Sequence, residues 1–177
     1  MNNSTYLLGL DLGTTRVKAI IVNTRGEIIE SADEEYPLNR PTSDAAEQDP
    51  DLWWEASCRV LLSVVNKISP DANAIKAVGL AGQMHSAVFL DDKLRPLRPA
   101  MTWVDNRSAS TAEKIEQQLG KENLLDITYN RSLPGFTAAN VLWLKENEPD
   151  LFRKLDKLVL PKDYLRYRLT DQLLSEK

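Results

Sequence analysis

A short segment of one carboxylate, one glycine and two threonines near the N-terminus is the first part of the chain that could do chemistry. Asp11 ends an apolar run and is followed by Gly13, Thr14 and Thr15, after which strand-forming residues resume. This pattern is typical of a tight turn between two strands. Its amides and hydroxyls can donate hydrogen bonds to phosphate oxygens, and a carboxylate beside it can hold the waters of a phosphate-bound Mg²⁺. The segment therefore predicts a nucleotide phosphate site, with an ordinary hairpin as the alternative, because Gly and Thr also favour hairpins for conformational reasons alone.

A second polar segment, Gly82 to His85, lies between two apolar runs. Loops at strand ends commonly build ligand sites in α/β folds. Gln83 and His85 alternate, so on an extended segment both side chains would point the same way and offer hydrogen bonds matched to the hydroxyls of a polyol or sugar. The alternative is that His85, the only histidine, is a hydrogen-bonded structural residue.

A third segment combines an aromatic ring with two charges. Trp103, Asp105 and Arg107 also alternate, and in an extended conformation they would share one face. A sugar can stack on such a ring while the charged groups fix its hydroxyls. The alternative is that Trp103 belongs to the core and that Asp105 and Arg107 form a surface pair of little energetic value. The sequence leaves both interpretations open.

The elements that must position these residues indicate an α/β domain, because three strands open the chain and helices then alternate with strands. A helix is expected to begin after Asp49, with Pro50 in its first turn, and Thr137 is the expected N-cap of a later helix. Trp53, Trp54 and Trp143 are expected in the core. The predicted strands are 6–11, 17–22, 27–34, 75–81, 87–90, 101–104 and 157–160, and the predicted helices are 50–68, 106–119, 137–147, 149–155 and one from 162 onward.

Composition narrows the class of protein. The 177 residues are 42% hydrophobic and 27% charged, as in ordinary globular domains. A net charge of −4 gives no general attraction to nucleic acid or to an anionic membrane, and no apolar run is long enough to span a bilayer. One cysteine and one histidine exclude the usual structural zinc site. The single Cys58, interpreted as a small packed side chain, permits no internal disulfide and fits a reducing cytoplasm.

Together these segments resemble the N-terminal part of the FGGY carbohydrate kinases, and most closely those members that act on D-xylulose. The resemblance covers nearly the whole chain, and its motifs occur in the family's order. They are GLDLGTT, AEQDPDLWWEA, GLAGQMH, LRPAMTWVDNR, LPGFTAANVLWLKENEPDLF and KLVLPKDYLRYRLT.

The resemblance implies an actin-like, ribonuclease-H-like ATPase domain, with a mixed β-sheet flanked by helices, in a family that moves the γ-phosphate of ATP onto a sugar hydroxyl with Mg²⁺. It implies a sugar substrate, D-xylulose, and is compatible with a homodimer. The phosphate-binding set that it implies is Asp11, near Mg²⁺ through water, with Gly13, Thr14 and Thr15. The sugar-side set that it implies is Gln83, Met84, His85, Trp103, Asp105 and Arg107.

Departures from the family pattern affect the substrate. Ser86 stands where the xylulose-specific members usually have glycine, TWVDNR replaces LWND-x-R, and Asp171 stands where a glycine is usual. The first two also resemble gluconate kinases, so gluconate is the alternative substrate, and a non-catalytic sugar-binding or regulatory module is the alternative from another class.

We expect residues 1–177 to be a truncated N-terminal domain. The resemblance places the catalytic aspartate, in a GGGDN-like motif, and the adenosine-binding second domain beyond Lys177. We therefore predict that the 177 residues alone have no significant kinase activity.

Overall fold

The computed structural model describes residues 5–68 and 74–175. The chain forms two compact units. The first unit consists of the described parts of Met1–Pro37, Asp51–Gln83 and Lys162–Lys177. The second unit consists of Leu38–Pro50 and Met84–Pro161.

The elements follow one another as strands and helices in the manner of an α/β domain. In chain order they are β1 (Tyr6–Leu12), β2 (Arg16–Asn23), β3 (Ile28–Glu35), β4 (Glu47–Gln48), α1 (Pro50–Ile68), β5 (Ile75–Gly82), β6 (Val88–Leu90), β7 (Ala100–Met101), α2 (Ala109–Leu119), α3 (Lys121–Thr128), α4 (Thr137–Asn147), α5 (Pro149–Phe152), β8 (Lys157–Val159) and α6 (Pro161–Thr170).

A four-stranded mixed sheet in the order β3-β2-β1-β5 forms the centre of the first unit. β1 pairs antiparallel with β2 and parallel with β5. Residues of β1 alternate, so that Leu8, Leu10 and Leu12 are buried while Leu7 and Asp11 are exposed on the other face. The alternation therefore fixes which side of the sheet carries the Asp11 carboxylate.

Helix α1 is amphipathic, and its buried residues recur at helical spacing. They are Trp53, Ala56, Val60 and Val64. Ion pairs from Arg59 to Glu34 and from Lys67 to Glu30 join this helix to β3. Cys58 is half-buried, and burial raises the pKa of its thiol, in keeping with a packed side chain rather than a nucleophile.

Helix α6 is joined to α1 at Asp51. The Tyr164 hydroxyl donates to the Asp51 carboxylate at 3.1 Å, and Arg168 pairs with the same carboxylate at 2.7 Å. The Arg168 guanidinium also lies 4.7 Å from the centre of the Trp54 ring. Trp53 is buried in the core, as predicted, whereas the same prediction for Trp54 is wrong, because Trp54 is half-buried beneath the Arg168 guanidinium.

The second unit is built from two short antiparallel pairs, β4 with β7 and β6 with β8, and from helices α2 to α5. Its hydrophobic core contains four buried residues and a surrounding layer of half-buried ones. The buried residues are Ala87, Phe89, Met101 and Leu144, and the surrounding layer includes Trp143, Leu151 and Phe152.

The predicted α/β class is confirmed, and most predicted elements lie within a few residues of the observed ones. Several local predictions are wrong. The strand predicted over 101–104 ends at Met101, because the chain turns there. The helix predicted over 149–155 ends at Phe152, and the N-cap of α4 is Phe136 rather than Thr137; β4 and α3 were not predicted. Helix α3 begins directly after Gly120, the residue that ends α2.

None of the helices in the described part of the chain has the length and apolar character that a membrane span requires.

Candidate functional site

The hairpin between β1 and β2 forms the predicted glycine–threonine turn. Leu12 pairs with Val17, so the four residues between them make the connection. The Gly13 amide donates to the Arg16 carbonyl at 3.0 Å and closes the turn. The turn predicted from Asp11-Leu12-Gly13-Thr14-Thr15 is confirmed as a structural element, and its role toward phosphate stays a prediction.

Asp11 is exposed on the open face of the sheet. Its register partners are Lys18 on β2 and Ala81 on β5. These residues, with Gly9 and Gly79, line an open groove of about 520 Å³. Ile20 and Ile28 also line this groove, and the Asp11 carboxylate is the acidic group exposed in it.

The chemistry of this carboxylate fits a metal held through water. In the described part of the chain no three Asp, Glu, His or Cys residues come together in a way that could hold a metal ion directly. A single exposed carboxylate suits Mg²⁺, which keeps several of its waters and takes its remaining ligands from substrate phosphates. Asp11 therefore fits a contact to Mg²⁺ through water, and among the described residues it is not part of a site in which protein side chains alone coordinate the metal.

Tyr36, which the sequence did not single out, ties the hairpin turn to the end of β3. Its hydroxyl donates to the Gly13 carbonyl, and its backbone amide donates to the Thr15 carbonyl at 3.2 Å. Burial, together with the nearby Asp11 charge, raises the pKa of this phenol far above its ordinary value. The hydroxyl thus stays protonated and remains a donor to the turn.

We expect Tyr36→Phe to lower the free energy of unfolding by about 1–2 kcal/mol, because the Gly13 carbonyl loses its donor while the ring packing is retained. Urea unfolding followed by tryptophan fluorescence measures the change. Tyr129→Phe is the matched control, since Tyr129 is 91% exposed and should leave stability unchanged. Equal stability of the Tyr36→Phe variant and the parent would contradict the assignment.

The segment around His85 is a tight turn, and the predicted extended conformation is wrong. His85 has φ of 62°, and the Ser86 amide donates to the Met84 carbonyl at 2.7 Å. This two-residue hydrogen bond with a positive φ defines a γ-turn centred on His85. Such a conformation costs a non-glycine residue on the order of 1–3 kcal/mol and is found preferentially at functional sites.

The turn leaves the three predicted residues in different environments. Gln83 is buried, and its backbone amide donates to the Leu12 carbonyl at 2.8 Å, which continues the pairing of β5 with β1. Met84 is 66% exposed, and His85 is half-buried. Neither imidazole nitrogen of His85 makes a hydrogen bond to another residue that the structure describes. The ring edge is thus unsatisfied within the described residues.

Trp103, Asp105 and Arg107 lie on a turn, and the predicted extended strip with one shared face is also wrong. The Asp105 amide donates to the Thr102 carbonyl at 3.0 Å, which reverses the chain. Trp103 is 49% exposed, whereas Asp105 is completely buried. The Trp103 amide donates to the Ser86 hydroxyl at 3.0 Å, so the Trp103 turn is tied to the His85 turn.

Asp105 belongs to a buried charge network. Its carboxylate accepts from the Ala46 amide at 2.8 Å and from the Arg107 guanidinium at 2.8 Å. Arg107 continues to Glu47 at 2.6 Å, and Arg98 pairs with the same Glu47 carboxylate. The pair of Asp105 and Arg107 is therefore not a surface pair, and the completely buried Asp105 carboxylate has no exposed atom to offer a sugar, whereas the role of the partly buried Arg107 stays a prediction.

The two arginines of this network respond differently to burial. Burial is the largest influence on both, and it lowers the pKa of Arg98 despite the attraction of Glu148 and Glu47. For Arg107 the hydrogen bonds to Asp105 and Glu47 outweigh burial and raise the pKa. Both guanidinium groups also lie over the Trp143 ring, at 4.8 Å for Arg107 and 5.3 Å for Arg98.

A third loop, residues 133–137, completes the cluster. Gly135 has φ of 76°, its amide donates to the Ser108 hydroxyl at 3.0 Å, and its carbonyl accepts from the Asn140 side chain at 3.1 Å. A Cβ at this position would lie 2.3 Å from the Trp103 carbonyl oxygen, so only glycine fits. The next residue, Phe136, stacks on the His85 ring.

Three loops of the second unit thus converge: residues 84–86, 102–107 and 133–137. We call them the three-loop cluster. It presents the exposed side chains of Met84 and Trp103 and the half-buried imidazole of His85. Local sequence did not reveal the linking groups, Ser86 and Phe136, because each acts on a residue distant in the sequence.

The fold and the hairpin define the class first. A mixed sheet in which an antiparallel β-meander is extended by a parallel strand, with a Gly-Thr-Thr hairpin beside a carboxylate, has the architecture of an actin-like ATPase domain. A family model described as the N-terminal domain of the FGGY family of carbohydrate kinases matches residues 6–177. The chain belongs to the FGGY family of carbohydrate kinases.

Individual relatives agree with this assignment. The chain is 41% identical to the xylulose kinase of Escherichia coli K12 over 169 aligned residues. The aligned segment covers 96% of the chain and 34% of that relative. The crystal structure of a xylulose kinase from Brucella ovis is 38% identical, with a TM-score of 0.87, over 92% of this chain and 34% of that one.

A gluconate kinase is also close in structure. The crystal structure of gluconate kinase from Lactobacillus acidophilus is 28% identical, with a TM-score of 0.89, over 96% of this chain and 34% of that one. The chain spans about a third of the length of these relatives. The actin-like ATPase fold implied by the resemblance is confirmed.

Proposed function

We propose that this domain, within a chain of its relatives' length, takes part in transferring the γ-phosphate of ATP to D-xylulose, with ADP and D-xylulose 5-phosphate as products. We call that longer chain the whole kinase. The observation that carries the proposal is the exposed Asp11 carboxylate beside a closed Gly-Thr-Thr turn in a chain of the FGGY family. The similarity to xylulose kinases supports the choice of sugar.

On the phosphate side, the proposal uses the groups of the β1–β2 hairpin. The amides of the turn and the hydroxyls of Thr14 and Thr15 would donate to phosphate oxygens. Asp11 would accept hydrogen bonds from the waters of Mg²⁺ and so fix the position of the metal. When bound, Mg²⁺ supplies neutralisation of charge on the phosphates. Tyr36 keeps the turn closed by its hydrogen bond to Gly13.

On the sugar side, the proposal uses the exposed part of the three-loop cluster. The Trp103 ring offers a flat apolar surface to sugar C–H groups, and the edge of the His85 ring offers a donor and an acceptor to hydroxyls. Met84 would contact the same ligand. Gln83 belongs to the proposed sugar side only because the family resemblance implies it. Asp105 and Arg107 would act through the turn that they fix, since the Asp105 carboxylate is fully buried.

Gluconate is the second candidate substrate. Two observations favour it: Ser86 and the TWVDNR segment resemble gluconate kinases, and the gluconate kinase of Lactobacillus acidophilus has a similar structure over nearly the whole chain. Compared with glycine, serine at position 86 adds a hydroxymethyl group, whose oxygen accepts a hydrogen bond from the Trp103 amide at 3.0 Å. The departure from the xylulose-specific pattern at Ser86 therefore lies where two loops of the sugar side are in contact.

The test measures kcat/KM of the whole kinase for D-xylulose, gluconate, ribulose and glycerol, with a coupled assay that detects ADP release. We expect the highest value with D-xylulose. The highest value with gluconate would replace the substrate, and sugar binding without phosphorylation of any substrate would favour a non-catalytic sugar-binding module.

The 177-residue chain alone serves as the control for that comparison. We expect it to show no sugar-dependent ADP release, because phosphoryl transfer depends on positioning and charge neutralisation by groups that the resemblance places elsewhere. Phosphorylation of xylulose by these 177 residues would contradict this part of the proposal.

A further inference from the structure

The half-buried Phe136 is a neighbour of His85 to which neither the sequence nor the proposed function gives a role. Its ring lies parallel to the imidazole, with 4.0 Å between the ring centres and 8° between the planes. The next residue, Thr137, donates its hydroxyl to the His85 carbonyl at 3.2 Å. One short segment at the start of α4 therefore contacts both the side chain and the backbone of the γ-turn residue.

We propose that Phe136 is a positioning residue, which fixes the plane of the His85 imidazole so that the ring edge meets the hydroxyls of a sugar ligand. The proposal rests on the proposed function, because it deepens the assignment of His85 to the sugar side.

The need for such a residue follows from the freedom of the imidazole. The outer torsion of a histidine side chain has broad minima, so the chain itself leaves the ring plane loosely defined. The ring nitrogens donate and accept in that plane, and neither is held by a hydrogen bond within the described residues. A parallel aromatic neighbour removes this freedom and leaves the edge of the ring available.

Phe136 can act as a platform because its own position is fixed. Its amide donates to the Leu133 carbonyl at 3.2 Å, and its carbonyl accepts the Asn140 amide at 3.0 Å, as the N-cap residue of α4. The preceding Gly135 is held by Ser108 and by the Asn140 side chain. Since the backbone is held by hydrogen bonds on both sides of Phe136, the Phe136 ring has a fixed position and can restrict the orientation of the His85 ring.

The alternative is that Phe136 only fills space. Against this, Phe136 is not among the residues that pack against the hydrophobic core of the second unit, whereas Phe152, which is also half-buried, is. This difference supplies a matched control. A residue that only packs should behave like Phe152, and a positioning residue should act on the sugar.

The experiment measures KM for the sugar, KM for ATP and kcat in the whole kinase. We expect Phe136→Leu to raise KM for the sugar about three- to tenfold, the loss that corresponds to one aromatic pair, with KM for ATP unchanged. Phe136→Tyr keeps the flat ring, so its KM for the sugar should stay within about twofold of the parent value. Thr137→Val, which removes the hydrogen bond to the His85 carbonyl, should raise KM for the sugar in the same direction.

Phe152→Leu is the control, and we expect it to lower thermal stability without changing KM for the sugar. If Phe136→Leu fails to fold, Thr137→Val and Phe136→Tyr still carry the test. An unchanged KM for the sugar in both Phe136→Leu and Thr137→Val would overturn the inference while the parent enzyme remains active. Failure of the parent to phosphorylate any sugar would instead overturn the proposed function.

Discussion

Replacement of Asp105 by alanine is expected to lower the free energy of unfolding by about 3–5 kcal/mol, the usual cost of breaking a buried ion pair by removing one partner. The carboxylate is fully buried and accepts hydrogen bonds from the Ala46 amide and from Arg107. Its loss leaves a buried amide without its acceptor and a buried guanidinium with only Glu47. Urea unfolding of the 177-residue chain measures the change.

The control for Asp105 is Asp150→Ala. Asp150 forms an ion pair with Arg153, and both side chains are mostly exposed to solvent. Exposed pairs of this kind contribute little to stability, so no measurable change is expected. Equal effects of the two substitutions would show that the Asp105 network is not a stabilising centre of the second unit.

Replacement of Asp11 by asparagine in the whole kinase is the second change with a large expected effect. We expect kcat/KM for the sugar to fall about 10–100-fold, the range found when a group that orients metal-bound ligands is lost. Asparagine has nearly the same size but no charge, so the fold should be unaffected. The concentration of Mg²⁺ required for half-maximal rate should rise in the same variant, which ties the loss to the metal.

The matched control for Asp11 is Asp33→Asn. Asp33 lies on the same sheet, opposite Lys18 in the register of β2 and β3, and pairs with Arg16 at the surface. Its loss removes a charge of the same sign on the same sheet, and it reaches the hairpin only through the half-exposed Arg16 side chain, so the backbone hydrogen bond that closes the turn is retained. A similar fall in both variants would mean that the effect comes from general electrostatics and not from the position of Asp11.

Apolar alternation and turn residues were sufficient to predict the strands of the first unit and its first hairpin, but not the parallel pairing of β1 with β5. The strands have clear apolar alternation, and the Gly-Thr-Thr segment marks the hairpin, so β1 and β2 were predicted to within two residues. Helix α1 was predicted for the same reason, from its spaced apolar residues and the proline at its start. These features depend on neighbours in the sequence.

The sugar side could not be predicted in the same way. Alternating residues such as Trp103, Asp105 and Arg107 fit a strand and a turn equally well, and the choice depends on partners far away in the chain. Asp105 meets the amide of Ala46, which lies 59 residues earlier. The same holds for Phe136, whose contact with His85 joins two loops that no local pattern relates.

The contact between α6 and α1 has a consequence for the order in which the chain folds. Asp51 contacts Arg168, which lies 117 residues later in the sequence. Residues 84–161, the larger part of the second unit, are synthesised after Asp51 and before Arg168. During synthesis the second unit is complete before α6 leaves the ribosome, so it can fold while the first unit still lacks a helix. The first unit therefore cannot complete its packing until α6 has been made and has docked on Asp51 and Trp54.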